Sequence, residues 1–162
     1  MKNLFDDKLF VGNLEDNYKV NNDEWAIVHA TQTIHYQIFG WNRTTNKPEK
    51  THPNYIYYEN NSIVSLNWVD GAAFLYKWSG NDTFIKVLNF IDKWILTKKV
   101  LVHCDQGFSR SPALCLLYLA KRQKVISNNS YQEAKDEFSK IFPEYCPGGI
   151  GDYIEDNWNY IN

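Results

Sequence analysis

An apolar tripeptide, Val100-Leu101-Val102, runs directly into His103-Cys104-Asp105-Gln106-Gly107-Phe108-Ser109-Arg110-Ser111-Pro112, and a second apolar stretch follows from Ala113 to Lys121. The first reads as a short buried strand and the last as a helix, with Pro112 suited to the helix's first turn. The ten residues between them therefore lie at a strand's carboxyl end and a helix's amino end. Unpaired N–H groups converge there and the helix dipole is positive, so such a junction binds anions. A thiol placed in it shares, as thiolate, the stabilisation that a bound anion would receive. Nucleophile and oxyanion cradle then come from one loop.

The remaining pattern predicts how this junction is housed. Leu9-Phe10-Val11-Gly12 and Trp25 to Ala30 read as strands, Thr31 to Trp41 as a helix, and Asn42 to Asn54 as a loop. Tyr55-Ile56-Tyr57-Tyr58 reads as a short edge strand, turning through Glu59-Asn60-Asn61 into Ile63 to Val69. Phe84, Val87, Leu88, Ile91 and Ile95 follow helical spacing, with Asp82 placed as the cap of a helix through Trp94. Two further helices are expected near Tyr131 to Ile141 and Asp152 to Tyr160. Strands in the first half, alternation around the junction and helices at the end predict a three-layer α/β fold. Its central sheet is short, mixed and mostly parallel, flanked by helices, and ligands bind beyond the strands' carboxyl ends.

The chain of 162 residues fits one domain spanning 1–162. With 17 basic against 19 acidic residues the net charge is −2, which argues against a nucleic-acid partner. Its longest apolar stretch is too short to cross a bilayer, and its first residues carry no signal-peptide core, so no membrane partner is expected. Three cysteines form no fully paired disulfide framework and suit a reducing cytoplasm. Cys115 reads as a buried helix residue and Cys146 as a loop thiol; either is a conceivable disulfide partner for Cys104. No metal-ligand spacing and no nucleotide fingerprint occurs, and no cofactor is expected.

The run His103-Cys104-x-x-Gly107-x-x-Arg110-Ser111 resembles the signature loop of the cysteine-dependent protein phosphatases, in particular the dual-specificity branch. Residue frequencies of roughly 5% each make five fixed positions a chance event on the order of 10⁻⁵ to 10⁻⁴ in a chain this long. The resemblance implies Cys104 as nucleophile and Arg110 as the fork that grips two phosphate oxygens. It implies phosphate binding by the N–H groups of Asp105, Gln106, Gly107, Phe108, Ser109 and Arg110. Ser111 is then the hydroxyl that hydrogen-bonds the sulfur as it leaves; its other reading is the helix N-cap.

By strand alternation His103 points away from the nucleophile and supports the loop; a general-base role is the rival reading. Asp105 is unusual, because a carboxylate beside the nucleophile disfavours both a bound phosphate and a thiolate. It is expected to point outward, or to contact substrate together with Gln106. Asp70 ends the apolar run on the same rim as Cys104, at a separation from it close to that typical of dual-specificity members, and is expected to be the general acid. The competing reading of Asp70 is an Asp-Gly turn. Asp82 is a rival read as a helix cap, and Asp92 is expected to face solvent. His29, His35 and Trp41 could cover one side of the site, although core histidines and a surface tryptophan are the commoner outcome.

The activity so implied is hydrolysis of phosphomonoesters, with phosphotyrosine and phosphoserine/threonine in proteins as substrates. A phosphate-reading pseudophosphatase is the alternative, as is a phosphatase for RNA 5′-triphosphate, lipid or sugar phosphate. A loop without lysine weakens the lipid reading.

Overall fold

The computed structural model describes all 162 residues. Its strands are β1 (Lys2–Phe5), β2 (Leu9–Gly12), β3 (Trp25–His29), β4 (Tyr57–Asn60), β5 (Ile63–Leu66) and β6 (Lys99–His103). They form one sheet in the order β1-β2-β6-β3-β5-β4. The four inner strands pair in parallel, and β1 and β4 close the two edges antiparallel. The helices are α1 (Leu14–Asn17), α2 (Gln32–Phe39), α3 (Gly80–Trp94), α4 (Arg110–Tyr118), α5 (Tyr131–Ile141) and α6 (Gly148–Asp156).

Strand β6 lies between β2 and β3, and Val100, Leu101 and Val102 are fully buried. A strand covered on both faces needs apolar residues without alternation, which is why this stretch reads as a run. Val100, Val102 and Cys104 face the main core of 36 residues, shared with α3 and α4. Ile27 and Leu101 belong to the opposite face, which α1 and α2 cover. There the Leu101 side chain reaches toward Gly12, and His35 of α2 is 2.8 Å from Ser65 Oγ of β5. All nine residues of α4 are buried, because α3, α5 and α6 surround it on the sheet, so beyond the site residues Arg110 and Ser111 it has no charged face.

The three-layer, mostly parallel arrangement is the one expected, with local differences. The expected edge strand starts two residues later, at Tyr57, and β5 stops at Leu66 rather than Val69. Asp82 does not cap α3: it lies in the helix's first turn, behind Gly80. There its charge favours the helix dipole without a capping bond. Asp92 is not free in solvent but accepts from Tyr118 Oη at 3.0 Å and pairs with Arg122. The final helix begins four residues earlier than expected, at Gly148, and breaks before a 3-10 turn at Trp158–Tyr160.

One strand and one α-helix have no counterpart in the sequence reading, and neither has a 3-10 turn at Ala73–Lys77. Strand β1 is polar at Lys2 and Asn3, and only Leu4 and Phe5 pack against the core. Helix α1 is a single turn closed by a capping box, in which Asn13 Oδ1 accepts from Asp16 N and Asp16 Oδ2 from Asn13 N.

Candidate active site

The loop from Cys104 to Ser109 joins β6 to α4 at the carboxyl edge of the parallel strands, and neighbouring segments hold it by its backbone. Leu14 N donates to Asp105 O at 3.1 Å and Cys146 N to Phe108 O at 2.8 Å. Ser109 is buried, and its Oγ donates to Pro147 O at 2.7 Å. Gly107 adopts φ +84°, and a Cβ there would sit 3.0 Å from Gly12 O. The turn therefore needs glycine both for its conformation and for the close approach to β2.

Inside this loop the Cys104 thiol is 1% exposed. Its Sγ accepts from Gly107 N at 3.3 Å and lies 3.2 Å from Ser111 Oγ. The same Ser111 hydroxyl is 3.1 Å from Gly12 O. One hydroxyl proton thus has two acceptors within reach. Ser111 lies inside α4 rather than at its N-cap, a position that Ser109 occupies without a capping bond.

Arg110, also buried, crosses the end of the sheet. Its NH1 donates to Ala30 O at 3.3 Å and to Trp68 O at 2.9 Å, which aims the guanidinium from two strand ends. NH2 lies 3.5 Å from Asp105 Oδ2, and Nε is buried with no partner. A buried, unpaired guanidinium nitrogen is costly unless a ligand completes it. The Nε and NH2 edge is the half of the fork that matches two oxygens of an oxyanion. Asp105 points away from the thiol toward α2, accepting from Thr31 Oγ1 at 2.7 Å and Thr33 Oγ1 at 3.4 Å.

His103 lies on the sheet face opposite the thiol. Its Nε2 is 2.6 Å from His29 Nδ1, and its Nδ1 is 3.3 Å from the Cys104 carbonyl oxygen. Burial lowers both imidazoles, to about 4 for His103 and about 3 for His29, with His103 adding repulsion to the latter. Both rings are therefore neutral. The consistent tautomers have His103 Nδ1–H donating to Cys104 O and His29 Nδ1–H donating to His103 Nε2.

Asp70 is exposed on the bend after β5 and lines an open mouth of about 260 Å³ together with Asp105, Gln106 and Arg110. The Gly71-Ala72-Ala73 backbone behind it rests on Gly149 of α6: a Cβ on Gly149 would come within 2.1 Å of Gly71 O. Gln106 and Phe108 have exposed side chains, so only their backbone belongs to the loop's interior. No group of three or more His, Cys, Asp or Glu side chains is placed to hold a metal ion.

Residues 26–145 match the family model described as the dual specificity phosphatase catalytic domain. The chain belongs to the dual-specificity phosphatase family. Human dual specificity protein phosphatase 5 is 36% identical over 74 residues, covering 44% of this chain and 18% of that protein. Human dual specificity protein phosphatase 7 is 35% identical over 86 residues, covering 46% and 20% respectively. The chain thus spans about a fifth or less of these curated relatives. Among solved structures, that of DUSP15 is similar at TM-score 0.65 and 17% identity, over 98% of this chain and 86% of the other. The human tyrosine phosphatase-like serine/threonine/tyrosine-interacting protein is similar at TM-score 0.58 and 18% identity, over 94% and 91%. These likenesses carry the fold.

In this dual-specificity phosphatase domain the structure brings Cys104, Arg110, Ser111 and the loop backbone together, with Asp70 at the mouth. His29 and His35 are buried core residues, with His35 held between Ser65 Oγ and Asn54 O. Trp41 stacks on Phe39 with ring centroids 4.5 Å apart and is not among the residues lining the active-site mouth. Cys104, Cys115 and Cys146 are all free thiols, and burial in α4 pushes the Cys115 thiol well up. Sequence reasoning missed the parts that act through backbone atoms: the carbonyls of Gly12, Ala30, Trp68 and Pro147. A carbonyl has no residue-type signature. The glycine turn ending at Gly12 and the Pro147-Gly148-Gly149 run were the only signals available.

Proposed function

We propose that the protein hydrolyses phosphomonoesters, phosphotyrosine and phosphoserine/threonine of proteins, through a cysteinyl-phosphate intermediate. One observation carries this reading: the buried, unpartnered Nε of Arg110 beside a thiol at the amino end of α4. In the first step the Cys104 thiolate attacks phosphorus, forming the S–P bond as the ester P–O bond breaks. The leaving oxygen takes its proton from the Asp70 carboxyl group. Arg110 and the loop N–H groups hold the equatorial oxygens as their charge spreads. In the second step water attacks phosphorus, Asp70 takes the water's proton, and the S–P bond breaks to return the thiolate. Ser111 then turns its hydroxyl proton from Gly12 O to the sulfur and stabilises the departing thiolate.

His103 is a positioning residue in this scheme, since its ring faces His29. Residues 1–162 act as one catalytic domain, a reading supported by the single core of 36 residues. The three free thiols support a reducing, cytoplasmic setting. No helix is long and apolar enough to cross a membrane. The test is hydrolysis of p-nitrophenyl phosphate near pH 6.5 with EDTA present, comparing wild type with Cys104→Ser. Turnover by the wild type alone is the expected result. Turnover by neither, with phosphopeptide still bound, would make this a phosphate-reading module instead.

A further inference from the structure

Beside the bend that carries Asp70 lies a second pocket, of about 180 Å³. Its lining includes the buried rings of Trp68 and Tyr76, with Leu75 and Trp78 from the 3-10 turn and the residue after it. Tyr55 and Ile56, ahead of β4, add further apolar surface. Gln32, Trp68 and Val69 line the active-site mouth as well, so the two spaces adjoin.

Polar groups of this lining already engage one another. Gln32 Nε2 donates to Asn67 Oδ1 at 2.9 Å, and Gln32 Oε1 accepts from Arg43 NH2 at 2.7 Å. Ser79 Oγ accepts from Trp68 Nε1 at 2.5 Å, and Lys50 Nζ lies 4.7 Å from the centre of the Trp78 ring. An occupant therefore meets apolar surface rather than open donors and acceptors, and binds by burying apolar area of its own. The volume falls below the roughly 300–1,000 Å³ of small-molecule sites and suits a single side chain. Phe74 and Trp78, large apolar residues of the same segment, are each 61% exposed, which is the surface a bound chain covers.

The pocket also touches what positions the acid. A Cβ on Gly71 would come within 2.6 Å of Leu75 Cδ1, so Leu75 packs against the residue after Asp70. Tyr76 Oη donates to Val69 O at 3.0 Å and so holds the residue before it. We propose that this pocket takes an apolar side chain of the substrate, near the phosphorylated residue in sequence, and that filling it braces the Asp70 bend. The inference rests on the phosphatase reading, which puts the scissile phosphate at Arg110. An occupant resting on Val69, Leu75 and Tyr76 supports the bend from both sides of Asp70. Recognition of the substrate and placement of the proton donor then share one contact.

The experiment has a binding arm and a turnover arm. Phosphoserine and phosphotyrosine peptides carry a single leucine scanned through the flanking positions of an otherwise alanine-flanked sequence, with fluorescein on a flexible linker. Cys104→Ser is titrated with them by fluorescence anisotropy at 50 and 300 mM NaCl. The expected result is one flanking position where leucine binds about tenfold tighter than alanine, as burial of that side chain predicts, with no narrowing at high salt. Trp78→Ala should bring the ratio close to one and Trp78→Phe should retain it; the side chain is exposed, and circular dichroism verifies folding. In wild type the same leucine should raise kcat on the phosphoserine peptide more than on the phosphotyrosine peptide, because the poorer leaving group waits on Asp70. Equal affinity at every position, or a leucine preference that survives Trp78→Ala, would overturn the pocket's assignment. A leucine effect on KM with kcat unchanged on phosphoserine would overturn the bracing. Failure of the wild type to hydrolyse p-nitrophenyl phosphate, with the leucine preference in binding intact, would overturn the phosphatase reading and leave the pocket's specificity standing.

Discussion

Two strand-end carbonyls, of Ala30 and Trp68, hold the NH1 group of Arg110 and leave the Nε edge for an oxyanion. A lysine cannot do both. Arg110→Lys should lower kcat/KM for p-nitrophenyl phosphate by about 10² to 10³, the usual cost of losing an oriented donor. Steady-state kinetics on the folded variant tests this, and a loss below tenfold would mean the fork is not the oxyanion clamp. Gly107 is equally exacting, since its φ of +84° and the nearby Gly12 O leave no room for a side chain. Gly107→Ala should cost about 1 to 3 kcal/mol of stability and distort the loop. Urea denaturation measures the first effect and phosphopeptide affinity the second. Ser111 should matter only in the second step. Ser111→Ala is expected to leave a burst of product followed by slow turnover, seen by stopped flow as an initial phase equal to the enzyme concentration.

Between elements, the contact of α6 with the bend that carries Asp70 sets the acid's position. Gly149 meets Gly71 O and the Ala72–Ala73 peptide with no space for a Cβ. Gly149→Ala must push that bend outward. The expected outcome is a slower reaction with alkyl phosphates than with p-nitrophenyl phosphate, because only a poor leaving group needs the proton. Asp70→Asn should show the same leaving-group dependence, more strongly. A uniform loss across leaving groups in both variants would mean that Asp70 is not the acid. Strand β6 is the other decisive element: its alternation puts Cys104 on one face of the sheet and His103 on the other, linked to His29 of β3 at 2.6 Å.

For the whole molecule, the buried histidines tie stability to pH. His29 and His103 sit at about 3 and about 4, below the ordinary 6.5, first because of burial; His35 is lowered for the same reason. The unfolded chain therefore takes up more protons than the folded one whenever the pH lies below 6.5 and above the folded values. Their contribution is complete above about pH 6.5 and is lost progressively down to about 4 for His103 and about 3 for His29. Each histidine adds a slope of up to about 1.4 kcal/mol per pH unit in that window. Thermal denaturation at pH 7.5, 6.0 and 5.0 should show a falling Tm, and an unchanged Tm would mean that the pair is solvated.

The apolar run at Val100–Val102, the ten-residue loop and the apolar helix after it were legible as sequence, because each has a local cause. A strand buried on both faces must be apolar throughout, a thiol and a guanidinium have unmistakable chemistry, and a helix enclosed on all sides needs no polar face. From these came the α/β class, the loop's place at the strand ends, the two central residues Cys104 and Arg110, and the direction of His103. Other features have no local cause. Strand β1 is half polar, too short to show a pattern, and exists because β2 offers an edge, and Asp82 has the residue type of a cap although α3 starts before it. The partners of Arg110, Ser109 and Ser111 are carbonyl oxygens 38 to 99 residues away in the chain. Every residue carries a carbonyl, so only the tertiary fold could decide which of them would orient the site.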